Sequence, residues 1–149
     1  MKLPEFLFLI INPLMRILLC SPLHRIMSDS LMLITFTGRK SGKSFTTPVR
    51  YIENDGSVRC FTSSQNQWWR NLRGGAEVVL RINGQDTRYN AITLETNPEE
   101  TRKWLSYYLQ KYPEDAVYHD IRLNKDKSLV EKDFELALGK AIVVEATPV

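Results

Sequence analysis

Runs of apolar residues and apolar-polar alternation predict that most of the chain after residue 30 forms β-strands. The clearest buried strand is the continuous apolar run at residues 31–37, which a glycine ends. Asp55-Gly56 and Asn83-Gly84 each separate two such segments, and these dipeptides favour the tight turns of β-hairpins. Six strands are predicted, at residues 31–37, 44–53, 57–63, 76–82, 85–95 and 140–146.

A helical period follows the fifth predicted strand. Asn97 is placed to cap a helix, Pro98 suits its first position, and Glu100 lies where a capping box needs an acidic residue. The apolar face of this helix consists of Leu105, Tyr108, Leu109 and Tyr112. Shorter helices are predicted at residues 67–73 and 129–138.

The order of these elements predicts an α+β fold, a six-stranded and mainly antiparallel β-barrel with flanking helices. Pro48 has no N–H to donate, so we expect it at a strand edge or a bulge. The chain has 149 residues and is expected to form one domain, 1–149. Within it, residues 1–28 form an apolar N-terminal helical segment, and residues 29–149 form the barrel with its helices.

Residues 4–23 are strongly apolar but lack the pattern of a membrane span. Pro13 and Arg16 interrupt them, and no run reaches the roughly 18 apolar residues that a spanning helix needs. A secretory signal peptide is also not indicated, because Glu5 lies in what would be its basic start and Arg16 in what would be its apolar region. Two short helices are predicted instead, and two arrangements stay open. The helices pack on the barrel or on a dimer surface, or residues 1–27 lie on a membrane surface.

Charge is uneven along the chain, whose net charge is +3. Residues 1–53 hold seven Lys or Arg against three acids, which gives +4, and the remainder holds thirteen against fourteen, which gives −1. The two cysteines and two histidines are too scattered for a disulfide framework, a zinc site or a hydrolytic triad. No catalytic residue and no metal ligand is therefore predicted, and chemistry is expected to come from a cofactor. Nucleic-acid binding is disfavoured because no base-stacking motif accompanies the charge.

The strongest chemical signal is the connection between the first two strands. Residues 38–43, here called the basic loop, read Gly-Arg-Lys-Ser-Gly-Lys. The loop suits an anionic ligand, because glycines free the backbone N–H groups to turn inward while cations supply opposite charge. It is not a Walker A sequence, since only three residues separate Gly38 from Gly42. A solvated hairpin turn is the alternative interpretation.

A polar cluster at residues 62–66 precedes the predicted helix that contains Trp68 and Trp69. One interpretation is that Ser64 or Asn66 caps this helix, and the other is that the N-terminal N–H groups receive an anion. One tryptophan is expected in the core, and the other is expected to cover a ring or a partner surface.

Four segments together resemble the deazaflavin-dependent nitroreductase/quinone reductase family: residues 33–43 (LITFTGRKSGK), 46–49 (TTPV), 68–72 (WWRNL) and 76–80 (AEVVL). The resemblance implies a split β-barrel related to flavin-binding pyridoxamine-phosphate oxidases. It implies the 8-hydroxy-5-deazaflavin coenzyme F-420, which carries a phosphodiester and an acidic tail, with FMN as the alternative. The implied function is hydride transfer from the reduced coenzyme to a quinone or nitroaromatic acceptor. A non-catalytic flavin-binding module or a membrane-associated binding module is the alternative.

The resemblance also implies roles for particular residues. The cofactor residues in the basic loop would be Arg39, Lys40, Ser41, Gly42 and Lys43, and those beyond it Thr46, Thr47, Pro48, Ser63, Ser64, Trp68 and Asn71. The substrate residues would be Trp69, Tyr108, Tyr112 and Tyr118, with the tyrosines forming a lid whose phenols donate to a quinone or nitro oxygen. Many relatives have Arg where this chain has Phe45. A homodimer is expected, in the cytoplasm or at the inner face of the cell membrane.

Overall fold

The computed structural model describes residues 31–95 and 97–149. The strands are β1 (Leu31–Thr37), β2 (Ser44–Asn54), β3 (Ser57–Ser63), β4 (Ala76–Ile82), β5 (Gln85–Thr93) and β6 (Ala141–Pro148). The α-helices are α1 (Pro98–Lys111) and α2 (Glu131–Leu138), and two 3-10 helices cover Trp68–Leu72 and Pro113–His119. The N-terminal helices predicted within residues 1–28, and their contact with barrel or membrane, lie outside the described residues.

All six strands pair antiparallel and close into a barrel in the order β1-β2-β3-β6-β5-β4. The predicted fold class is therefore confirmed. The hairpin turns occur where the sequence predicted them, with Asp55 and Asn83 in the left-handed region (φ 53° and 52°) and Gly56 and Gly84 following them. These φ values suit Asn, Asp and Gly, which explains why the two dipeptides mark the turns.

Strand β2 changes partner along its length, and this explains where a proline is tolerated. Residues Ser44–Arg50 pair with β1, whereas Tyr51–Asn54 pair with β3. Pro48 lies opposite Leu33 in the first part, where β2 has no second neighbour among the described strands. Pro48 therefore lies where β2 has one open edge, and the prediction of an edge position is confirmed.

Two apolar cores lie on opposite faces of the sheet. The barrel interior is filled by side chains such as Ile34, Val58, Leu80 and Val144. The second core lies between the outer face of the sheet and the helices, and it includes the buried face of α1.

Helix α1 begins as predicted, because the side chain of Asn97 accepts a hydrogen bond from the backbone N–H of Glu100 at 3.2 Å. It ends at Lys111, and Pro113 then starts the 3-10 helix Pro113–His119, which the sequence did not indicate. Within the described ranges no helix is long and apolar enough to cross a membrane.

Candidate functional site

The basic loop is a closed turn between β1 and β2. The backbone N–H of Gly38 donates to the carbonyl of Lys43 at 2.8 Å, and the N–H of Gly42 donates to the carbonyl of Gly38 at 2.9 Å. Gly42 has φ 68°, a conformation that favours glycine. These bonds hold the backbone while the side chains of residues 39–43 remain exposed. The loop therefore presents its cations to solvent from a defined backbone.

Within the part of the chain that the structure describes, the cations of the basic loop differ from most arginines in lacking an acidic partner. Carboxylates within 4.0 Å pair with Arg50, Arg59, Arg73, Arg81, Arg88, Arg102 and Arg122. No such ion pair involves Arg39, Lys40 or Lys43 within residues 31–95 and 97–149. Their charge is therefore available to an anion from outside the described chain.

A side-chain clamp joins the basic loop to the 3-10 helix Trp68–Leu72. The backbone N–H of Arg39 donates to Oδ1 of Asn71 at 2.9 Å, and Nδ2 of Asn71 donates to the carbonyl of Trp68 at 2.9 Å. The structure thus brings together three residues that the sequence assigned to one cofactor site. Asn71 uses both ends of its amide within the protein, so it positions the loop.

Next to the loop lies a row of three aromatic rings, Phe45, Phe36 and Trp68, here called the aromatic row. The ring centroids of Phe36 and Phe45 are 5.8 Å apart, and those of Phe36 and Trp68 are 5.7 Å apart. Phe36 is buried, Trp68 is half-buried, and Phe45 is 46% exposed. Sequence reasoning missed Phe45 as a site residue. The strand register, which only the structure provides, places it on β2 opposite Phe36 on β1.

Thr46, Thr47 and Pro48 follow on the part of β2 that pairs only with β1. All three are half-buried. The Oγ1 atoms of Thr46 and Thr35 are hydrogen-bonded at 2.8 Å, which ties the hydroxyl of Thr46 to the neighbouring strand. These residues form the strand that leads away from the basic loop, and their contact with a cofactor stays a prediction.

Ser63 has a structural position at the end of β3. It is 4% exposed, its Oγ accepts from the N–H of Gln65 at 3.3 Å, and its carbonyl accepts from Nε1 of Trp69 at 3.0 Å. Ser63 therefore helps to hold the tryptophan helix, and the contact with a cofactor that the sequence suggested for it stays a prediction. Ser64 is half-buried, and its N–H donates to the carbonyl of Lys140 at 2.7 Å.

Trp69 is the tryptophan of the core. It is 2% exposed and packs in the barrel interior. The prediction that Trp69 contacts substrate is corrected, because its ring has no free face and its indole N–H is used by Ser63. Trp68, its neighbour, is the one that reaches the aromatic row.

Two of the predicted lid tyrosines, Tyr108 and Tyr112, lie apart from the basic loop, in the second core. Tyr108 is 4% exposed, stacks on Phe61 with centroids 4.2 Å apart, and donates its hydroxyl to Oδ2 of Asp115 at 2.6 Å. The lid role predicted for Tyr108 is corrected accordingly. Burial, and after it the hydrogen bond to Asp115, raise the pKa of Tyr108 well above its usual value.

Arg50 anchors this tyrosine cluster to β2. Its Nε lies 2.7 Å from Oδ2 of Asp115, and its guanidinium carbon lies 4.4 Å from the centroid of the Tyr112 ring. Tyr118 is 44% exposed nearby on the same 3-10 helix as Asp115. An extended strand from residue 44 to residue 50 measures about 20 Å. The structure therefore does not bring Tyr112 and Tyr118 to the loop.

A separate cavity of 550 Å³ lies between the β2–β3 turn and α1. Its lining mixes both charges, with Arg59 and Lys103 beside Asp55 and Glu100, so it presents no preferred sign to a ligand. The described residues also contain no cluster of His, Cys, Asp or Glu that is able to hold a metal ion. The basic loop remains the best candidate site.

Comparisons with known proteins identify the family to which the chain belongs. The family model for F420H(2)-dependent quinone reductase matches residues 21–128. Rv3178 of Mycobacterium tuberculosis (strain ATCC 25618 / H37Rv), whose assignment as an F420H(2)-dependent quinone reductase is inferred, is 31% identical to this chain over 78 residues. This alignment covers 49% of the chain and 65% of the relative.

Two solved structures have a similar fold. A Listeria innocua protein inferred to be a pyridoxamine 5'-phosphate oxidase has a TM-score of 0.52 and 9% identity over 87% of this chain and 93% of that chain. The FAD and heme binding protein from Mycobacterium smegmatis has a TM-score of 0.51 and 12% identity over 87% of this chain and 67% of that chain. At these identities the likeness shows the split-barrel fold alone. Because the family model covers most of the chain, the protein belongs to the F420H(2)-dependent quinone reductase family of oxidoreductases, whose cofactor is the deazaflavin coenzyme.

Proposed function

We propose that this protein is an oxidoreductase that binds the deazaflavin coenzyme F-420 through the basic loop and reduces a quinone-type acceptor. The observation that carries the proposal is a group of three cations, Arg39, Lys40 and Lys43. They have no acidic partner among the described residues, and their backbone is held by Gly42 and Asn71. Family membership supports the coenzyme, and the family description supports the quinone.

The residues of the basic loop fit the anionic part of this coenzyme. Arg39 is suited to bidentate contact with a phosphate, and Lys40 and Lys43 act as point charges. Oγ of Ser41 accepts from the backbone N–H of Lys43 at 3.2 Å, which leaves the hydroxyl proton of Ser41 as a donor to a phosphate oxygen.

When bound, the coenzyme supplies the hydride. The protein's own residues then need to bind the tail, orient the ring and exclude water, and no ionisable base is required. The basic loop binds, the Asn71 clamp orients the loop, and the aromatic row offers an apolar surface beside it. This division of tasks agrees with the absence of any hydrolytic triad in the sequence.

The acceptor would be a quinone, with a nitroaromatic compound as the second candidate. Tyr118, with its exposed ring, stays a predicted substrate residue, and so does Tyr112, whose ring lies against Arg50. Their distance from the loop means that each would contact the acceptor or the far end of a bound molecule. Steady-state reduction of a quinone and of a nitroaromatic compound by Tyr118→Phe and Tyr112→Phe tests these roles. An unchanged KM in both variants would remove them.

The coenzyme itself is tested by calorimetric titration with oxidised F-420 and, separately, with FMN. Replacing Arg39, Lys40 or Lys43 by Gln is expected to weaken F-420 binding by about 10-fold each, the effect of losing one charge-assisted hydrogen bond at an exposed site. Lys125→Gln is the matched control, because Lys125 is exposed and lies elsewhere. Tighter binding of FMN than of F-420 would favour the flavin alternative, and no saturable binding of either would reject the proposal.

A further inference from the structure

Phe45 is an exposed aromatic side chain that packs on a buried one. It is 46% exposed, lies two residues after the basic loop on β2, and faces the buried ring of Phe36. Single exposed apolar residues are common on protein surfaces. What distinguishes Phe45 is that its ring lies against the basic loop at Gly38, and that the three cations of this loop have no acidic partner in the described chain.

The ring of Phe45 is held in place by its neighbours. One side packs on Phe36 with an angle of 26° between the ring planes. Gly38 allows the loop to approach the ring edge, since a Cβ atom at residue 38 would lie 2.8 Å from Cε2 of Phe45. Such a ring is preorganised for stacking and loses little side-chain entropy when a flat ligand covers it.

We propose that Phe45 is the stacking surface for the planar ring of the bound coenzyme, so that the ring and the phosphate are bound by adjacent parts of one strand and loop. The assignment rests on the proposed function. From Lys43 to Phe45 an extended backbone advances about 7 Å. That length is comparable with the sugar-alcohol arm that separates ring from phosphate in flavin-type coenzymes. In this chain an aromatic contact at residue 45 adds ring affinity that is independent of charge.

The test separates the two ends of the ligand. Calorimetry measures the affinity of the complete coenzyme and of its deazaflavin nucleoside, which lacks the phosphate and the tail. Phe45→Leu is expected to lower the affinity for both ligands by the same factor, about 2- to 10-fold, which is the effect of one aromatic stacking contact. Lys40→Gln is expected to lower the affinity for the complete coenzyme alone. Phe45→Trp should restore the affinity that Phe45→Leu loses.

Tyr107→Leu is the matched control, because Tyr107 is 39% exposed and lies on α1 away from the loop. Thermal unfolding of each variant shows whether it is folded. Suppose that a folded Phe45→Leu variant binds both ligands with unchanged affinity, while Lys40→Gln still lowers the affinity for the coenzyme. This result would overturn the role of Phe45 and leave the proposed function standing. If Phe45→Leu binds both ligands as tightly as the unmodified protein but has a different sedimentation coefficient, Phe45 belongs to an interface between copies of the chain. This outcome also overturns the role of Phe45 in binding the coenzyme. If the unmodified protein binds neither ligand, both proposals fall.

Discussion

The side-chain oxygen of Asn71 accepts a hydrogen bond at 2.9 Å from the backbone N–H of Arg39, which lies 32 residues earlier in the chain. The same side chain donates to the carbonyl of Trp68. One amide therefore fixes the distance between the basic loop and the tryptophan helix. The orientation of the Arg39 backbone depends on this contact, and we expect ligand affinity to depend on it too.

Asn71→Ala removes both hydrogen bonds and is expected to lower the free energy of unfolding by about 1–2 kcal/mol, because each bond contributes modestly at a partly exposed site. Coenzyme affinity should fall several-fold, since the loop is less well ordered before binding. Urea denaturation and calorimetric titration measure the two effects. Amide hydrogen exchange at Arg39 should accelerate in the unliganded variant. An unchanged exchange rate would contradict the clamp, whatever happens to affinity.

Gly42→Ala is expected to strain the basic loop, because Gly42 has φ 68° and other residues adopt this conformation at a cost of about 1–2 kcal/mol. The free space around Gly42 means that no steric clash adds to this cost. Gly42→Asn should be better tolerated, since Asn enters the left-handed region more readily. Thermal unfolding checks that the Asn variant is more stable than the Ala variant. If the Asn variant is the less stable one, backbone conformation is not the cause of the destabilisation.

Asp115 is expected to matter for stability and not for coenzyme affinity. Its buried carboxylate is bonded to Arg50 and to the hydroxyl of Tyr108. Asp115→Ala therefore removes the acceptor of the Tyr108 hydroxyl and leaves Arg50, among the described residues, with only the 3.9 Å ion pair to Glu114. The free energy of unfolding should fall by about 3 kcal/mol. Tyr108→Phe keeps the ion pair and should cost about 1 kcal/mol. Denaturation and titration of the folded variants test this, and an impaired coenzyme affinity would contradict the separation of this cluster from the loop.

A pH dependence is expected from Asp133 on α2. Hydrogen bonds from Arg122 lower the pKa of Asp133 from 3.8 to about 2. The stabilisation is complete above about pH 4, where the carboxyl group is ionised in the folded and the unfolded chain. It is lost as the pH falls towards about 2, because the unfolded chain takes up the proton first. Asp133→Asn should flatten the decline in urea midpoint across this window, and an unaltered decline would exclude the pair as its source.

Several parts of the fold could be predicted from local sequence. The strand segments follow from apolar runs and alternation, the two hairpins from Asp55-Gly56 and Asn83-Gly84, and the start of α1 from Asn97. Each of these features depends on residues within a few positions of one another. Backbone sterics and local hydrogen bonds therefore decide them before any distant contact forms.

The candidate site was only partly predictable for the same reason. The basic loop is one continuous segment, and its glycines and cations are visible in the sequence. Whether Trp68 or Trp69 faces the interior is decided by how the 3-10 helix packs on the barrel. Trp69 is buried in the barrel core and Trp68 packs against that core while only half-buried, and the sequence WW alone does not select which of the two is buried more deeply.

The sequence by itself determined the strands, the turns, the basic loop and, through its motifs, the family. Only the tertiary structure decided that Asn71 holds Arg39, that Phe45 stacks on Phe36 beside the loop, and that Tyr108 is buried against Asp115. The separation of these residues along the chain does not determine the distance between them in space. They are set by strand register and by the packing of helices on the sheet, and these exist only once the barrel has closed.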